Sequence, residues 1–308
     1  MTAPAWDVLG FGAVAVDDLL YVDHYPPPDS KAPVRAQQRT GGGLAGTALV
    51  AAARLGARAA YGGILGDDDL ARFTIQELER EGVDCSPVLY RAEARPIHST
   101  IIVDLSSGQR VILFSYAGVV ERQPEEISEE LVSNCRVLFV DHTTLSGGLH
   151  AISLAHRRGI PVVGDIESDT ASGLAELLSQ IDHLIIGIEL ARQITGQSEP
   201  VTAVQVLAAP RRACVVVTGG ARGCWYSECG GAVQHFGAYK VGVVDTTGCG
   251  DVFHGAYAAC LARGESVRAA IEVATAAAGI KATHPGGRAG IPDRATVDLF
   301  IKEHTNGQ

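Results

Sequence analysis

Apolar runs of strand length alternate with segments of helical periodicity along most of the chain. Continuous apolar runs are typical of strands buried on both faces, and their alternation with helices is typical of a mainly parallel sheet covered on both sides. The pattern therefore predicts a doubly wound α/β fold. The predicted central strands span 8–12, 59–64, 137–141, 161–164, 184–186 and 214–218, and the predicted helices span 45–55, 68–81, 124–134, 147–158, 171–180, 249–263, 266–282 and 293–303.

Residues 19–39 and 97–116 depart from this pattern, because apolar and polar residues alternate within them. Such alternation is typical of antiparallel strands with one wet face. We therefore predict a small β-sheet from these two segments, beside a large domain made of residues 1–18, 40–96 and 117–308. The sheet would expose one apolar face, so it is expected either to cover a ligand and pair with a second copy of the chain or to fold back on its own core.

Composition narrows the classes of function. The chain has 308 residues, of which 46% are hydrophobic and 19% charged, as in an ordinary globular enzyme. Its net charge of −10 argues against nucleic acid or an anionic membrane as the main partner. No apolar run has membrane-spanning length, and the first residues lack the basic flank of a signal peptide. The seven cysteines show no zinc-binding spacing, which favours reduced thiols in a cytoplasmic protein.

The segment Asp245-Thr-Thr-Gly-Cys-Gly-Asp251 is a loop of small residues that leads directly into a predicted helix. The backbone N–H groups of Gly248, Cys249 and Gly250 would lie at the helix N-terminus, where they favour an anion. Asp251 can accept a proton from a hydroxyl group. Phosphoryl transfer needs both parts side by side, because it depends on positioning and charge stabilisation. The structural alternative for Asp251 is a simple helix cap.

A second glycine-rich segment, residues 41–48, precedes the predicted helix 45–55. Its three consecutive glycines would let the backbone approach a ligand closely, since no Cβ intervenes. The segment lacks the lysine of a P-loop. Either segment alone is compatible with an ordinary loop before a helix, whereas the two together favour a phosphoryl-transfer site.

Together the two segments resemble the two signatures of the ribokinase-like (PfkB) carbohydrate kinase family. Similar features at 12–17, 66–68 and 218–223 extend the resemblance over almost the whole chain. Within the family, the chain resembles ketohexokinase and bacterial sulfofructose kinase; residues 285–292 share their sequence pattern with the latter. The resemblance implies a ribokinase-like fold whose small sheet is a lid over the sugar site, dependence on ATP and Mg²⁺, and a homodimer formed through the lid.

The resemblance also implies a set of substrate-binding residues. Asp17 takes the position of a carboxylate that binds sugar hydroxyls, and Gly42 and Gly43 would bring the backbone to the sugar. Thr47 stands where many members of the family have Asn, which argues against ribose or plain fructose as the substrate. Lys31, in the first lid segment, would meet an anionic substituent of the sugar, unless it is simply solvated.

The nucleotide is expected on the loop that follows the predicted strand 214–218. Thr218, Gly220 and Gly223 lie on this loop, and ligands of open α/β sheets bind beyond the carboxyl ends of the strands.

Metal sites follow from the resemblance alone. Glu189 is offset by one position from the N-x-x-E pattern that organises Mg²⁺ through water in the family, and Asp165 and Glu167 are alternative carboxylates for this role. Asp245 and the carbonyl group of Thr247 are candidates for a monovalent cation such as K⁺.

Cys249 replaces the usual alanine of the family signature. A thiol at a helix N-terminus can have a lowered pKa, which would make Cys249 sensitive to oxidation. The alternative is a small buried residue without redox chemistry.

These observations predict an ATP-dependent kinase that phosphorylates a primary hydroxyl of a small sugar, a ketose or a sugar derivative, with Asp251 as the general base. A nucleoside kinase of the same family is an alternative, because Tyr21, Tyr25, Phe114 and Tyr116 offer aromatic rings in the lid. A non-catalytic sugar or nucleotide sensor is a further alternative. It would have no need of Asp251.

Overall fold

A computed structural model describes residues 3–168, 173–209 and 212–305 and confirms the predicted fold class. The strands are β1 Trp6–Phe11, β2 Ala15–Val22, β3 Ala36–Gly42, β4 Ala59–Tyr61, β5 Ile64–Leu65, β6 Leu89–Tyr90, β7 Ile97–Asp104, β8 Arg110–Ser115, β9 Cys135–Asp141, β10 Val162–Ile166, β11 His183–Gly187, β12 Cys214–Thr218, β13 Cys224–Glu228 and β14 Gln234–Phe236. The helices are α1 Leu44–Arg54, α2 Asp69–Arg80, α3 Glu129–Ser133, α4 Ser146–Arg157, α5 Leu174–Gln180, α6 Ile188–Thr195, α7 Pro200–Leu207, α8 Cys249–Ala262, α9 Val267–Ala282 and α10 Arg294–Thr305.

Eight strands form the central sheet, in the order β14-β13-β12-β11-β10-β9-β1-β4. The six strands from β12 to β4 run parallel to one another, and β13 and β14 continue the sheet in antiparallel fashion at one edge. Strand β1 pairs with the later strand β4 on one side and with β9 on the other. The carboxyl ends of β1 and β9 therefore flank a topological switch point, where ligands of such sheets bind.

Both faces of the sheet are covered by helices. Successive side chains of a strand point to opposite faces, so Val137 and Phe139 of β9 pack in one core with α1, α8 and α9, while Leu138 and Val140 pack in a second core with α4 to α7. Burial on both faces explains the continuous apolar runs of the central strands. Within the described residues, no helix is long and apolar enough to cross a membrane.

Two predicted helices differ from the observed elements, and two observed helices were not predicted. The predicted helix 124–134 is a 3₁₀ turn at Pro124–Glu126 followed by α3, because the Ser128 hydroxyl accepts from the Leu131 N–H and starts a new helix there. Helices α6 and α7 were not predicted; α7 is rich in β-branched residues, which have weak helix propensity. Of the predicted helix 171–180, residues 171 and 172 lie outside the described residues, and α5 begins at Leu174.

A second sheet, in the order β3-β2-β7-β8, corresponds to the predicted lid. The pairs β2–β3 and β7–β8 are antiparallel as predicted, but the central pair β2–β7 is parallel. The chain between β2 and β7 includes α1, β4 and α2 and brings β7 back parallel to β2. The alternation of apolar and polar residues within each segment does not reveal this direction. Strand β2 begins at Ala15 and β3 continues to Gly42. Both strands therefore extend into residues that were predicted to belong to the large domain. The division into domains remains a prediction.

Close packing of α1 against α8 brings the two glycine-rich segments together. A Cβ at Gly255 of α8 would collide with the backbone carbonyl oxygen of Ala48 in α1, so glycine is required for this approach. Both contact residues lie within the first two turns of their helices. The helix N-termini, and with them residues 41–48 and 245–251, therefore lie at the same end of the pair.

Candidate active site

Two buried aspartates end neighbouring strands at the switch point. Asp141 of β9 lies opposite Asp165 of β10 in register, and both are at most 2% exposed. The Asp141 Oδ2 atom accepts from the Ala13 N–H at 2.7 Å, which ties the end of β1 to β9. Burial raises the pKa of both carboxyl groups, and for Asp165 the charges of Glu167 and Asp141 raise it further. The site therefore holds a cluster of carboxyl groups that favours a bound cation.

Asp251 lies in the first turn of α8, beside this cluster. Burial raises its pKa well above the usual range, and the charges of Asp165, Glu167 and Asp141 act in the same direction. The Arg288 guanidinium opposes the shift. A carboxylate with a raised pKa is a stronger base than an ordinary aspartate, which suits proton abstraction near neutral pH.

The loop before α8 presents backbone N–H groups, but not all those expected. The Cys249 N–H donates to the Thr246 carbonyl oxygen at 3.2 Å and is therefore already engaged. The Gly248 and Gly250 N–H groups donate to no other group in the described part of the chain. Gly248 has φ 74°, and a Cβ there would lie 2.6 Å from the Gly287 carbonyl oxygen, so glycine is required at the turn into the helix. Two of the three predicted donors are thus free to bind an anion.

Asp17 lies on β2, at the base of the lid. Its side chain hydrogen-bonds with Ser99 of β7 and packs against Gly42, where any Cβ would collide with the carboxylate. Burial raises its pKa, although Ser99 and Arg288 counteract the shift. The adjacent Asp18 points elsewhere and pairs with Arg39 at 2.7 Å.

Arg288 is a site residue that the sequence analysis did not assign. Only 8% exposed, it donates to the Gly42 carbonyl oxygen at 2.6 Å and, through Nε, to the Thr47 hydroxyl at 3.2 Å. A Cβ at Gly41 or Gly46 would collide with its guanidinium. Burial lowers the pKa of Arg288 to about 10, while Asp17 and Asp251 raise it, so the group remains cationic between the two carboxylates.

The position of Arg288 changes the interpretation of the first glycine-rich segment. Part of the space left by its glycines is filled by a guanidinium of the chain itself. Thr47 is 1% exposed and binds Arg288, so any influence on the substrate passes through the arginine. At Gly43, with φ 85°, a Cβ would lie 2.6 Å from the Val14 Cα atom, so this glycine serves backbone packing. Lys31 is exposed in the loop between β2 and β3.

The three candidate carboxylates for Mg²⁺ lie in different surroundings. Glu189 is 77% exposed at its side chain and pairs with Arg192 at 3.0 Å on the surface of α6. Asp165 and Glu167, the two alternatives, lie close enough for their charges to raise the pKa of Asp251. The buried Asp165 Oδ2 atom has no hydrogen-bond partner among the described residues, although the His254 ring nitrogen lies 3.4 Å away. The described residues form no cluster of three or more side chains arranged to hold a metal by themselves.

Asp245 is held by groups of the chain itself. Its Oδ1 atom accepts from the Thr247 N–H at 2.8 Å, from the Thr247 hydroxyl at 2.7 Å and from Arg110 of the lid at 2.9 Å. Its Oδ2 atom accepts from the Gly286 N–H at 2.8 Å. Burial opposes ionisation of Asp245, but these hydrogen bonds outweigh it and hold its pKa below the usual range.

On the predicted nucleotide loop, Thr218 ends β12 and its hydroxyl donates to the Ile186 carbonyl oxygen at 3.3 Å. Gly220 has φ 59° and open space around its Cα, whereas a Cβ at Gly223 would collide with the backbone at Phe236. Gly223 thus has a structural role as well. Nucleotide binding by the three residues remains a prediction.

Cys249 does not have the electrostatics of an activated thiol. Burial raises its pKa, and its Sγ atom lies 3.6 Å from the Ala278 carbonyl oxygen on α9. Lys281 lowers the pKa, but less than burial raises it. This opposes the expectation of a lowered pKa and favours the alternative of a small packed residue.

Comparison with known proteins agrees with this geometry. The family model described as pfkB family carbohydrate kinase matches residues 7–294. The chain is similar to a ribokinase of Haemophilus influenzae, with 27% identity over 305 residues that cover 94% of this chain and 97% of the relative.

Two solved structures are similar over nearly the whole fold. The ribokinase of Thermotoga maritima has a TM-score of 0.84 and 25% identity, and the match covers 96% of this chain and 99% of that one. The Arabidopsis thaliana ribokinase complexed with ribose and ATP has a TM-score of 0.85 and 22% identity, covering 98% and 99% of the two chains. These matches confirm the predicted family and fold, whereas the similarity to ketohexokinase and sulfofructose kinase stays a prediction.

Proposed function

We propose that this chain, which belongs to the pfkB family of carbohydrate kinases and is an ATP-dependent sugar kinase, phosphorylates a primary hydroxyl of a ketose or ketose derivative. The observation that carries the mechanism is Asp251 in the first turn of α8, directly after the free N–H groups of Gly248 and Gly250. This arrangement supplies a base and an anion site next to each other, as phosphoryl transfer requires.

In the proposed reaction the sugar hydroxyl lies between Asp251 and the γ-phosphoryl group of ATP. Asp251 accepts the hydroxyl proton as the new oxygen–phosphorus bond forms and the bond between the γ-phosphorus and the bridging β–γ oxygen breaks, releasing ADP. The Gly248 and Gly250 N–H groups stabilise the charge on the transferring group. The lid excludes water, which limits hydrolysis of ATP.

Asp17 and Arg288 position the sugar in this proposal. The Asp17 carboxylate accepts hydrogen bonds from sugar hydroxyls, and Ser99 and Arg288 counteract the rise of its pKa that burial causes. Because Arg288 is already bound to Gly42 and Thr47, it is preorganised for this role. An anionic substituent would have to attract Lys31 from its exposed loop, so an uncharged ketose is the better fit.

The residues present fit an Mg²⁺ ion that is held mainly through phosphates and water. The buried Asp165 Oδ2 atom lacks a hydrogen-bond partner within the described residues, and Glu167 lies close by. One or two carboxylates are the usual protein contribution to such a site. When bound with ATP, Mg²⁺ neutralises charge on the β- and γ-phosphate oxygens. We assign Asp165 and Glu167, and not the surface residue Glu189, to this role.

A nucleoside kinase is the second candidate, because aromatic rings are exposed on the lid. Phe114 and Tyr116 lie in edge-to-face contact with centroids 5.4 Å apart and are 60% and 55% exposed. Such rings could stack on a base. In our assignment their exposure instead reflects contact with a second copy of the chain.

The test is ADP release with ATP and Mg²⁺ over a panel of fructose, ribose, 2-keto-3-deoxygluconate, sulfofructose and adenosine. The proposal expects turnover on a ketose. Turnover on adenosine alone would support the nucleoside kinase, and a preference for sulfofructose would restore Lys31 as an anion contact. Ligand-dependent melting shifts without any ADP release would identify a sensor.

The pH dependence of kcat/KM tests the assignment of the base. Asp251 must be ionised, so kcat/KM should decrease at low pH as Asp251 is protonated; we call this decrease the acid limb. An ordinary aspartate has a pKa of about 3.9, and the raised pKa of Asp251 places the acid limb at higher pH. Glu167→Gln removes a negative charge that raises this pKa, and the limb should then move to lower pH. Glu189→Gln is the matched control, since its carboxylate pairs with Arg192 on the surface. A limb that Glu167→Gln leaves unmoved would contradict the assignment.

We also assign a homodimer formed through the lid. Every residue of β8 is exposed, including Leu113 at 54% and Phe114 at 60%, and an apolar edge strand favours pairing. Light scattering of the wild type should give twice the chain mass. Leu113→Lys should shift the protein towards the monomer, whereas Leu299→Lys, on an equally exposed leucine of α10, should not.

A further inference from the structure

Lys281 is a buried lysine that the proposed mechanism has not used. It lies in the last turn of α9 and is 0% exposed. Its Nζ atom donates to the backbone carbonyl oxygen of Asp245 at 2.8 Å. A buried ammonium is expensive unless it is paired or hydrogen-bonded, so its location beneath the phosphoryl-transfer loop needs an explanation.

The loop is attached to the end of α9 at this point. The N–H groups of Val244 and Asp245 donate to the Ala282 carbonyl oxygen at 2.8 and 3.1 Å. Lys281 and Ala282, adjacent residues at one helix end, therefore both bind Asp245, and Ala282 also binds Val244. The C-terminal end of a helix also favours a cation, which supports an ammonium at Lys281.

Groups around Lys281 shift its pKa in both directions. Burial lowers its pKa, as does Arg110, whereas the Cys249 thiol and the Asp245 and Asp251 carboxylates raise it. The balance is a lowered pKa for Lys281, with the carboxylates of Asp245 and Asp251 favouring its ammonium form against burial.

Every oxygen of Asp245 already accepts a hydrogen bond from the chain itself. The carbonyl oxygen accepts from Lys281, and both carboxylate oxygens accept from donors of the chain: Thr247, Arg110 and Gly286. A cation such as K⁺ needs oxygen ligands whose lone pairs are directed at it. The K⁺ ion implied by the family resemblance would therefore have to compete with these donors, Lys281 among them, for Asp245.

We infer that the Lys281 ammonium is the resident cation of the loop 245–251, so the enzyme works without a monovalent metal ion at Asp245. Lys281 is a positioning residue in this inference, which rests on the proposed kinase function. In one planar peptide the C=O and the following N–H point in opposite directions. By holding the Asp245 carbonyl towards α9, Lys281 turns the Thr246 N–H away from it, and this N–H has no partner within the described residues.

The test compares wild type, Lys281→Met and the control Lys302→Met, which changes an exposed lysine of α10. ADP release is measured in tetramethylammonium chloride and in KCl at the same ionic strength. The wild type and Lys302→Met should change by less than about twofold between the salts. Lys281→Met should lose about tenfold or more in kcat, with a smaller change in the KM for ATP, because aligned donors act in the transition state. K⁺ or NH₄⁺ should restore part of this loss.

Two results would overturn the inference: strong activation of the wild type by K⁺, or full activity of Lys281→Met without K⁺. A second readout does not depend on turnover or on the variant folding. The melting temperature of the wild type and its affinity for a non-hydrolysable ATP analogue should be the same in the two salts. A K⁺-specific increase in either quantity would reject the inference. If no sugar of the panel is phosphorylated, the proposed function fails, yet these two measurements still test whether the wild type binds a monovalent metal ion.

Discussion

Asp251→Asn is expected to lower kcat by about 10²–10⁴-fold, the usual contribution of a general base, while the affinities for ATP and sugar change little. The amide keeps the shape of the side chain but cannot accept the hydroxyl proton. It also removes one negative charge from the carboxyl cluster of Asp141 and Asp165, which should leave the fold intact or slightly stabilised.

The measurement is steady-state ADP release on the sugar identified in the panel, together with calorimetric binding of sugar and ATP analogue. Asp69→Asn is the control, because Asp69 forms an exposed ion pair with Arg72 and such pairs contribute little. An Asp251→Asn enzyme that retains turnover would refute the mechanism. Equal loss of binding and turnover would instead indicate that Asp251 only caps α8.

Arg288→Met is expected to have the second largest effect, because it leaves Asp17 and Asp251 without their common cation. Loss of the Arg288 hydrogen bonds also leaves the buried Gly42 and Thr47 oxygens without their donor, which costs about 1–3 kcal/mol of unfolding free energy. Both carboxyl groups should then hold their protons to higher pH, since Arg288 lowers both pKa values. The KM for the sugar should increase through Asp17, and the acid limb of kcat/KM should move to higher pH through Asp251.

Sugar titrations, the pH profile and urea unfolding of Arg288→Met check these effects. The loss of stability should be larger at about pH 8 than at about pH 5, because protonated carboxyl groups no longer need the cation. Arg288→Lys should recover part of the stability, and Arg192→Met, which removes a surface cation, should behave as wild type. An unchanged KM and an unmoved acid limb would show that Arg288 serves only packing.

Local sequence was sufficient to predict the two glycine-rich segments. Glycine at 248 and an aspartate three residues later specify a left-handed turn and a carboxylate in the first turn of a helix, and both are properties of a few consecutive residues. The central strands were predictable for the same reason, because burial on both faces leaves continuous apolar runs. Weakly helical segments such as α7 were missed because packing, and not propensity, stabilises them.

Residues that act across the fold were not predictable in this way. Arg288 is 241 positions from Thr47, and Lys281 is 36 positions from Asp245. An arginine in a Gly-rich loop or a lysine near a helix end is usually solvated, so no local pattern distinguishes these two. The offset at Glu189 similarly left the Mg²⁺ carboxylates open; the register of β9 and β10, which places Asp165 beside Asp141, supports Asp165 for this role.

Taken alone, the order of apolar and small residues was enough to predict the α/β class and the two glycine-rich segments, and it made Asp251 the candidate base. These depend on short-range sterics and on the burial of each strand. Tertiary structure decided which loop N–H groups stay free, which carboxylates surround Asp251, and that Arg288 and Lys281 supply the positive charge. The reason is that electrostatic effects depend on distance and burial, and both arise only when distant segments pack together.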